Sequence, residues 1–278
     1  MKQLQKIKRL PILVILSVIF LFIVLVWLLF PGVFAPDALS IDLLRSGLPP
    51  GSPGHLLGTD TLGRDVLSLL IAGTRSAMIG PIFIAIGSLI IGVLLGNLAG
   101  WHGGWHDRVI SAYADLTLSM PAMLLAIAAA GIIGGGYWVS VVVMIILYSP
   151  ADIRLVRAAV IQQKSKPYIE SALIMRLSSL QILAKHIFPN IYKIVLVNFF
   201  LNIAYGLVSM SSLSFLGLGV GPGDADWGRQ LADGRQYLLE NPALAVGAGL
   251  AIILTAVSIN VIGSFAMEKG DLDGNKQS

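Results

Sequence analysis

The chain has 278 residues, of which 56% are hydrophobic and only 12% are charged, and its mean hydropathy is +0.83. Soluble domains carry about 25% charged residues, so this composition excludes an ordinary soluble protein and predicts an all-α, polytopic membrane protein. The absence of cysteine excludes disulfides, iron–sulfur clusters and thiolate zinc sites. The net charge of +4 is spread over loops, which is not the footprint of a nucleic-acid-binding protein.

Six apolar stretches are long enough to cross a bilayer as helices. We predict spans over residues 10–30, 77–100, 109–133, 137–156, 191–218 and 243–267. The first has an apolar core of about 20 residues, longer than the roughly 15 of a signal peptide, so we interpret it as an uncleaved anchor and not as a cleaved leader. The second is rich in glycine, which favours close approach of a neighbouring helix.

These spans divide the chain into a short tail, a first span, an external loop with a short helix, a core of five spans and a second tail. The predicted ranges are 1–9, 10–30, 31–76, 77–267 and 268–278, and the core includes a cytoplasmic loop at 160–190 and an external segment at 218–242. Fourteen of the nineteen Lys and Arg residues fall on the side that holds both tails and the 160–190 loop. Because Lys and Arg concentrate in cytoplasmic loops, we predict that both termini are cytoplasmic.

A polar cluster stands out in the external loop, where the sequence HLLGTDTLGRDVL places Asp60, Arg64 and Asp65 close together. We expect Asp60 to cap the short helix that follows. The cluster predicts a short folded element that partly closes the outer mouth of the helix bundle. A hairpin that merely stabilises the fold is the alternative.

Few residues indicate catalytic chemistry. The sequence contains neither a P-loop nor an HExxH motif, so enzyme activity is not supported. His102 and His106 have the i, i+4 spacing of a metal pair, but the two glycines between them favour a polar turn. Asp115 lies inside the third predicted span, two turns from Arg108, and we favour a structural hydrogen bond or ion pair there over a proton relay.

Two further segments are patterned for contacts outside the bilayer. Residues 165–190 are basic, show apolar residues at helical spacing and end at Pro189, which predicts either a helix for a soluble partner or a plain amphipathic surface helix. Residues 214–242 are rich in glycine and then acidic and aromatic. There we expect Asp226 to cap a helix, and Trp227 and Tyr237 to anchor the chain at the membrane interface.

These pieces together resemble the inner-membrane permeases of binding-protein-dependent ABC importers of the dipeptide, oligopeptide and nickel group, in particular the C-type partner of the permease pair. The resemblance is carried by HLLGTDTLGRDVLS (55–68), GGWHDRVISAYADLTLSMPAMLLAI (103–127), YIESALIMRLSSLQILAKHIFPN (168–190), SFLGLGV (214–220), DWGRQLADGRQY (226–237) and LTAVSINVIG (254–263). It implies the type I importer permease fold, also called MetI-like, with six transmembrane helices.

The resemblance also implies a role for the 160–190 loop, which is similar to the family's cytoplasmic coupling loop with its Glu-Ala-Ala triplet. Here the triplet is Glu170, Ser171 and Ala172, and the loop ends at Pro189. Arg176 stands where the family has glycine, so we expect a differently made turn or a straighter entry into the second helix. As residues that dock on an ATPase subunit, the resemblance implies Ala172, Met175 and Leu177 for an apolar knob, and Glu170 and Arg176 for polar contacts.

The implied protein is a multi-pass permease of the bacterial inner membrane that binds no cofactor itself. Its implied partners are a related six-span permease, two ATPase subunits that hold ATP and Mg²⁺, and an extracytoplasmic binding protein. Short peptides are the expected substrate, and nickel or another metal chelate is the alternative. A secondary transporter or a membrane scaffold without a transport role fits the sequence less well, because paired intramembrane charges are missing and a scaffold does not need glycine-rich spans.

Overall fold

The computed structural model describes residues 11–274, which form a bundle of helices. The helices are α1 (Ile12–Leu29), α2 (Pro31–Phe34), α3 (Val66–His102), α4 (Gly104–Leu118), α5 (Ala122–Ile133), α6 (Tyr137–Lys164), α7 (Pro167–Ile174), α8 (Ser179–Ile182), α9 (Phe188–Phe215), α10 (Trp227–Gly234) and α11 (Ala243–Gly274). The predicted tail at 1–9 lies outside the described residues. At the other end α11 continues past the predicted boundary at 267.

Five helical segments are long and apolar enough to cross a membrane, and α4 with α5 makes a sixth if the pair counts as one span. The predicted third span at 109–133 is not one continuous helix, because the pair bends by 88°. The bend lies at Pro121, which has no N–H to donate and which disfavours helical geometry at Met120 before it.

The second span is much longer than the predicted 77–100. α3 runs for 37 residues without interruption, so the short helix expected in the external loop is the first part of α3. Asp65, and not Asp60 as predicted, caps this helix, since its carboxylate accepts a hydrogen bond from the N–H of Ser68 at 2.8 Å. A helix of this length extends for about 55 Å, so its two ends lie on opposite sides of a bilayer.

Glycines bring α3 and α6 into close contact. Gly92, Gly96 and Gly100 face Asp152, Val156 and Val160 in turn, and a Cβ on each glycine would lie 2.3, 2.7 and 2.9 Å from its neighbour's Cβ. Backbones this close leave no room for a methyl group, as in the small-residue packing of transmembrane helices. The glycine-rich second span therefore packs as the sequence predicts.

Three helices complete the bundle around α3. α1, α9 and α11 share one apolar cluster with it, in which Val24, Leu207 and Ala248 are buried. Pro150 interrupts the hydrogen-bond ladder of α6 and leaves the carbonyl of Ile146 without its helical donor. The hydroxyl of Tyr113 from α4 donates to that carbonyl at 2.9 Å and so joins the two helices at the break.

Candidate functional site

The 160–190 loop folds into α7, a sharp turn and α8, and α7 is amphipathic. Its inner face is formed by Ile169 and Ala172, which are buried in a cluster with Trp101, Val156 and Val160. Ala172 was expected to enter a groove in another protein, and that expectation is wrong because the side chain packs under its own chain and is 1% exposed. The inner face fixes α7 to the ends of α3 and α6.

The opposite face of the loop is an exposed apolar surface. Ile174 is 82% exposed, Met175 64% and Leu180 76%, and Leu173 lies beside them; we call these four residues the apolar tip. Glu170, Ser171 and Arg176 are exposed around it, whereas Leu177 is half-buried and packs inward. Among the predicted docking residues, Met175, Glu170 and Arg176 are therefore accessible.

The turn after α7 depends on a strained residue. Arg176 has φ of 57°, the one positive φ among the non-glycine residues described. Its N–H bonds the carbonyl of Leu173, and the N–H of Leu177 bonds the carbonyl of Ala172 at 3.2 Å, which is the Schellman pattern that closes a helix. The expectation that arginine would force a different turn is wrong, since Arg176 adopts the conformation in which glycine is usual.

The second half of the loop does not end at Pro189 as predicted. Ser178 and Gln181 form a capping box that starts α8. A single π turn at Leu183–Ile187 then leads into α9, and Pro189 lies in the first turn of that helix. The wider turn carries the helix past a residue that has no N–H, so loop and span are continuous.

At the other end of the molecule, the predicted polar cluster is folded and largely buried. The carboxylate of Asp60 forms an ion pair with Arg64 at 2.7 Å, with side-chain exposures of 5% and 10%. Arg64 also donates to the carbonyl of Gly223 at 2.9 Å, which joins the loop to the segment after α9. Asp65 caps α3 and contacts His55 at 3.0 Å. We call residues 40–65 the outer cap.

Asn241 also holds the outer cap in place. Its amide N–H donates to the carbonyls of Leu48, Leu57 and Thr59 over 3.1–3.4 Å, and its carbonyl accepts from the N–H of Ala243, which opens α11. One side chain therefore ties three points of the outer cap to the last span.

The segment 218–242 packs into the bundle more deeply than predicted. Asp226 caps α10 as expected, accepting from the N–H of Arg229 at 3.1 Å. Burial raises the pKa of the Asp226 carboxyl, against the opposing effect of that N–H. Trp227 does not anchor the chain at the interface, because it is 1% exposed and its indole N–H donates to the carbonyl of Leu70 at 2.9 Å.

Asp115 pairs with Arg154 of α6 and not with Arg108, and both side chains are more than half exposed. A second pair joins the same helices, since Arg157 binds the carboxylate of Asp107 with two N–H groups, one of them at 2.7 Å. α4 is therefore attached to α6 by two ion pairs.

Sequence reasoning missed the most deeply buried acid of the bundle, Asp152 in α6, which is 1% exposed. The amide of Asn202 donates to both its carboxylate oxygens at 2.9 and 3.0 Å, and that of Asn198 donates to Oδ1. The signal was present, because Asp152 falls within the predicted fourth span and two asparagines lie one turn apart in the fifth. This network joins α6 to α9.

The two loop histidines flank the turn between α3 and α4. His102 ends α3 and His106 lies in α4, with ring centroids 5.7 Å apart. Gly103 between them has φ of 65°, so the polar turn favoured from sequence is confirmed. Within residues 11–274 no group of three or more His, Asp or Glu side chains is placed to hold a metal ion.

The fold and these two ends define a class, namely a multi-pass helical membrane protein with an exposed apolar tip at one end and a folded cap at the other. The family profile that matches residues 89–269 is that of the binding-protein-dependent transport system inner membrane component. The match covers more than half of the chain, and the chain belongs to this family. The resemblance found in the sequence is confirmed.

Relatives agree with this membership. The chain is 37% identical to the glutathione transport system permease protein GsiD of Pectobacterium atrosepticum over 82% of its own length and 75% of that protein's. It is 31% identical to a probable D,D-dipeptide transport system permease protein of Escherichia coli, with 96% and 90% covered. A permease chain of the MetNI methionine ABC transporter shares the fold, with a TM-score of 0.59 at 18% identity, covering 73% of this chain and 96% of that one.

Proposed function

We propose that this chain is one permease subunit of an ATP-driven importer of short peptides. Family membership supports the importer role, and relatives at 31–37% identity that are named for glutathione and dipeptide transport support the substrate class. The alternative of nickel or another metal chelate has no counterpart among these relatives. Binding and hydrolysis of ATP with Mg²⁺ are the work of separate subunits in this proposal.

The contrast between the two faces of α7 is the observation that supports the coupling role. Its inner face is fixed in the bundle by Ile169 and Ala172, while Ile174 and Met175 extend into the surroundings. An apolar knob on a rigid base suits a groove in another protein, with Glu170 and Arg176 making polar contacts at the rim. Closure of two ATPase subunits would then move α7 and, through it, the spans between inward-facing and outward-facing states.

The same proposal orients the molecule. The apolar tip and both termini lie on the cytoplasmic side, where basic residues are concentrated, and the outer cap lies on the opposite side. A soluble binding protein delivers substrate to the outer cap and to segment 218–242. A related six-span permease completes the pathway as the second half of a heterodimer, and two ATPase subunits bind beneath the pair.

The experiment compares two isoleucine variants in the complete complex. Ile174→Glu places a charge in the apolar tip, whereas Ile41→Glu makes the same change at an exposed position of the outer cap. We expect Ile174→Glu to abolish ATP-dependent uptake and co-purification of the ATPase subunits without loss of the chain from the membrane. Ile41→Glu should keep the ATPase subunits bound. Normal uptake by Ile174→Glu would refute the docking role.

Substrate class is tested in a strain that lacks the chain. We expect reintroduction of the gene to restore uptake of glutathione or a labelled dipeptide, with ATP required in membrane vesicles. Restoration of nickel uptake, with no effect on either peptide, would overturn the proposed substrate and leave the importer role intact.

A further inference from the structure

A cavity of about 320 Å³ opens at the end of the bundle that carries the outer cap. It lies between the first turns of α3, the start of α6 and the segment that follows α9. Arg75, Asp224, Tyr137 and Trp138 line it together with Ser76 and several aliphatic residues. Its volume is within the range of small-molecule sites, which is about 300–1,000 Å³.

Hydrogen bonds between the three segments fix the walls of this cavity. The hydroxyl of Ser76 donates to the carbonyl of Ala225 at 2.6 Å, which holds α3 against the segment after α9. The hydroxyl of Tyr137 accepts from the N–H of Gly80 at 2.6 Å and donates to the carbonyl of Ser76, so α6 is bound at the same point. The site is therefore preformed.

Two residues of opposite charge lie beside the hydrogen bond between Ser76 and Ala225. Arg75 precedes Ser76 and Asp224 precedes Ala225, so the bond between Ser76 and Ala225 brings the two charged residues to the same opening. Both side chains are exposed, and neither makes a hydrogen bond or an ion pair within residues 11–274. The cavity thus offers a free cation and a free anion that do not neutralise each other.

Below the charges the surface is entirely apolar. Along α3 the outward residues recur every three or four positions from Arg75, and along α6 every fourth from Trp138. They are Ile79, Phe83, Ile86, Ile90 and Leu94 on α3, and Val142 and Ile146 on α6. Phe83 and Trp138 contact edge to face at 5.6 Å, which joins the two rows into one furrow. From Arg75 to Leu94 the furrow is about 28 Å long, close to the hydrocarbon thickness of a bilayer.

We propose that this site binds one phospholipid whose headgroup carries a phosphate and a primary ammonium, as in phosphatidylethanolamine. Arg75 donates to the phosphate, Asp224 accepts from the ammonium, and the acyl chains lie along the half of the furrow nearest the charges, which is about the depth of one leaflet. Trp138 lies at the level of the headgroup, where aromatic residues are enriched. A hydrophilic peptide in transit matches the two charges but not the apolar rows, which is why we assign a lipid.

Under the orientation given in the proposed function, the cavity lies at the outer leaflet; the lipid site itself does not depend on that orientation. Lipid retention is measured without ATP or substrate, and uptake is measured separately in the same preparation. A failure of the lipid site is therefore distinguishable from a failure of the importer role.

The test uses the purified complex in mixed-lipid nanodiscs, followed by native mass spectrometry of retained lipid. We expect phosphatidylethanolamine to be retained in preference to phosphatidylcholine, whose ammonium has no N–H, and to phosphatidylglycerol, which has no cation. Arg75→Gln should lower retention about tenfold, the effect of losing one charge-assisted hydrogen bond. Asp224→Asn should remove the preference over phosphatidylglycerol. Arg75→Lys should restore part of the binding.

Arg45→Gln is the matched control, because it removes an exposed arginine of the outer cap outside the cavity. It should leave lipid retention unchanged. A photoreactive group at Phe83 identifies the neighbour of the furrow directly. Equal retention of the three lipids, an unchanged Arg75→Gln complex, or cross-links to the partner permease or to peptide instead of lipid would each overturn the proposal.

Discussion

At Arg176 an L-residue occupies a backbone position for which its Cβ is unfavourable. A residue with a Cβ in the left-handed region has a strain energy of roughly 1–2 kcal/mol, which glycine lacks. The surrounding structure enforces the conformation through two hydrogen bonds to the end of α7 and through Leu177, which packs on the buried cluster. The strain lies directly beside the apolar tip.

We predict that Arg176→Gly stabilises the turn by about 1 kcal/mol. Glycine relieves the backbone strain at positive φ, and this gain exceeds the entropic cost of a more flexible unfolded chain. Hydrogen exchange at the N–H groups of Arg176 and Leu177 in the complex measures local opening. Arg176→Ala keeps the Cβ and serves as the control. Equal protection in the two variants would contradict the account of strain.

The buried carboxyl of Asp226 should make the stability of the folded chain depend on pH. Because burial raises its pKa, the folded chain holds this proton more firmly than the unfolded chain does. Its contribution to stability therefore grows as the pH falls through the folded-state pKa and is lost as the pH rises through it. We expect the melting temperature of Asp226→Asn, relative to wild type, to increase between about pH 4 and pH 8. A constant difference across that range would show that the carboxyl does not titrate with unfolding.

The Asp152 network predicts a difference between two substitutions. Asp152→Asn keeps an acceptor for Asn198 and Asn202, whereas Asp152→Ala removes this acceptor and leaves the buried amide of Asn202 with only the hydroxyl of Ser88, at 3.3 Å. We expect the alanine variant to be less stable than the asparagine variant by about 1–3 kcal/mol, measured as the shift in thermal unfolding of the detergent-solubilised complex. Equal melting of the two variants would mean that α6 and α9 do not depend on this contact.

Among the helices, α3 and α6 approach closely over three successive turns, and glycine makes this contact possible. At Gly96 a methyl group would lie 2.7 Å from Cβ of Val156 and 2.9 Å from the carbonyl oxygen of Ile153. At Gly249 in α11 the nearest atom would be Cδ1 of Leu231 at 3.8 Å, an ordinary contact. The two glycines therefore differ in what an added methyl group would cost.

We predict that Gly96→Ala destabilises the chain by about 1–3 kcal/mol through overpacking. Gly249→Ala should be neutral or slightly stabilising, because alanine favours the helix and has room. Abundance in the membrane and melting of the purified complex are the measurements. A Gly96→Ala chain as stable as the Gly249→Ala chain would show that the two helices separate at little cost.

The sequence predicted the spans well because hydrophobicity over 20 residues determines them, but it missed features that depend on single backbone groups. Pro121 and Pro189 both lack a backbone N–H. The helix breaks at Pro121, whereas a π turn lets it continue through Pro189. The helical spacing of apolar residues in the 160–190 loop predicts an apolar face, and its members Ile169, Ala172 and Ile187 are buried. The same spacing includes Ile174 and Leu180, which the structure exposes, because Ile174 lies about 140° around α7 from Ile169 and Leu180 comes after the turn at Arg176.

In the molecule as a whole, the outer cap is attached at the end of α3 opposite the apolar tip. The variant Arg64→Glu tests whether the outer cap acts as a gate. The introduced carboxylate would repel that of Asp60 and could not donate to the carbonyl of Gly223, so the contact between the cap and the segment after α9 would open. If the cap is a gate, the protein remains abundant while uptake falls or ATP hydrolysis loses its dependence on substrate. Loss of the chain from the membrane would instead indicate that the cap only stabilises the fold.

The π turn at Leu183–Ile187 has a consequence for how force passes along the chain. One additional residue in a helical turn advances the angular phase of everything on one side by about 100° relative to the other. Leu180 of the apolar tip lies on the same continuous helix as α9, so the π turn sets the angle of this residue relative to the residues of α9. A displacement of Leu180 along or around that helix would therefore be transmitted to α9 as a translation and a rotation together.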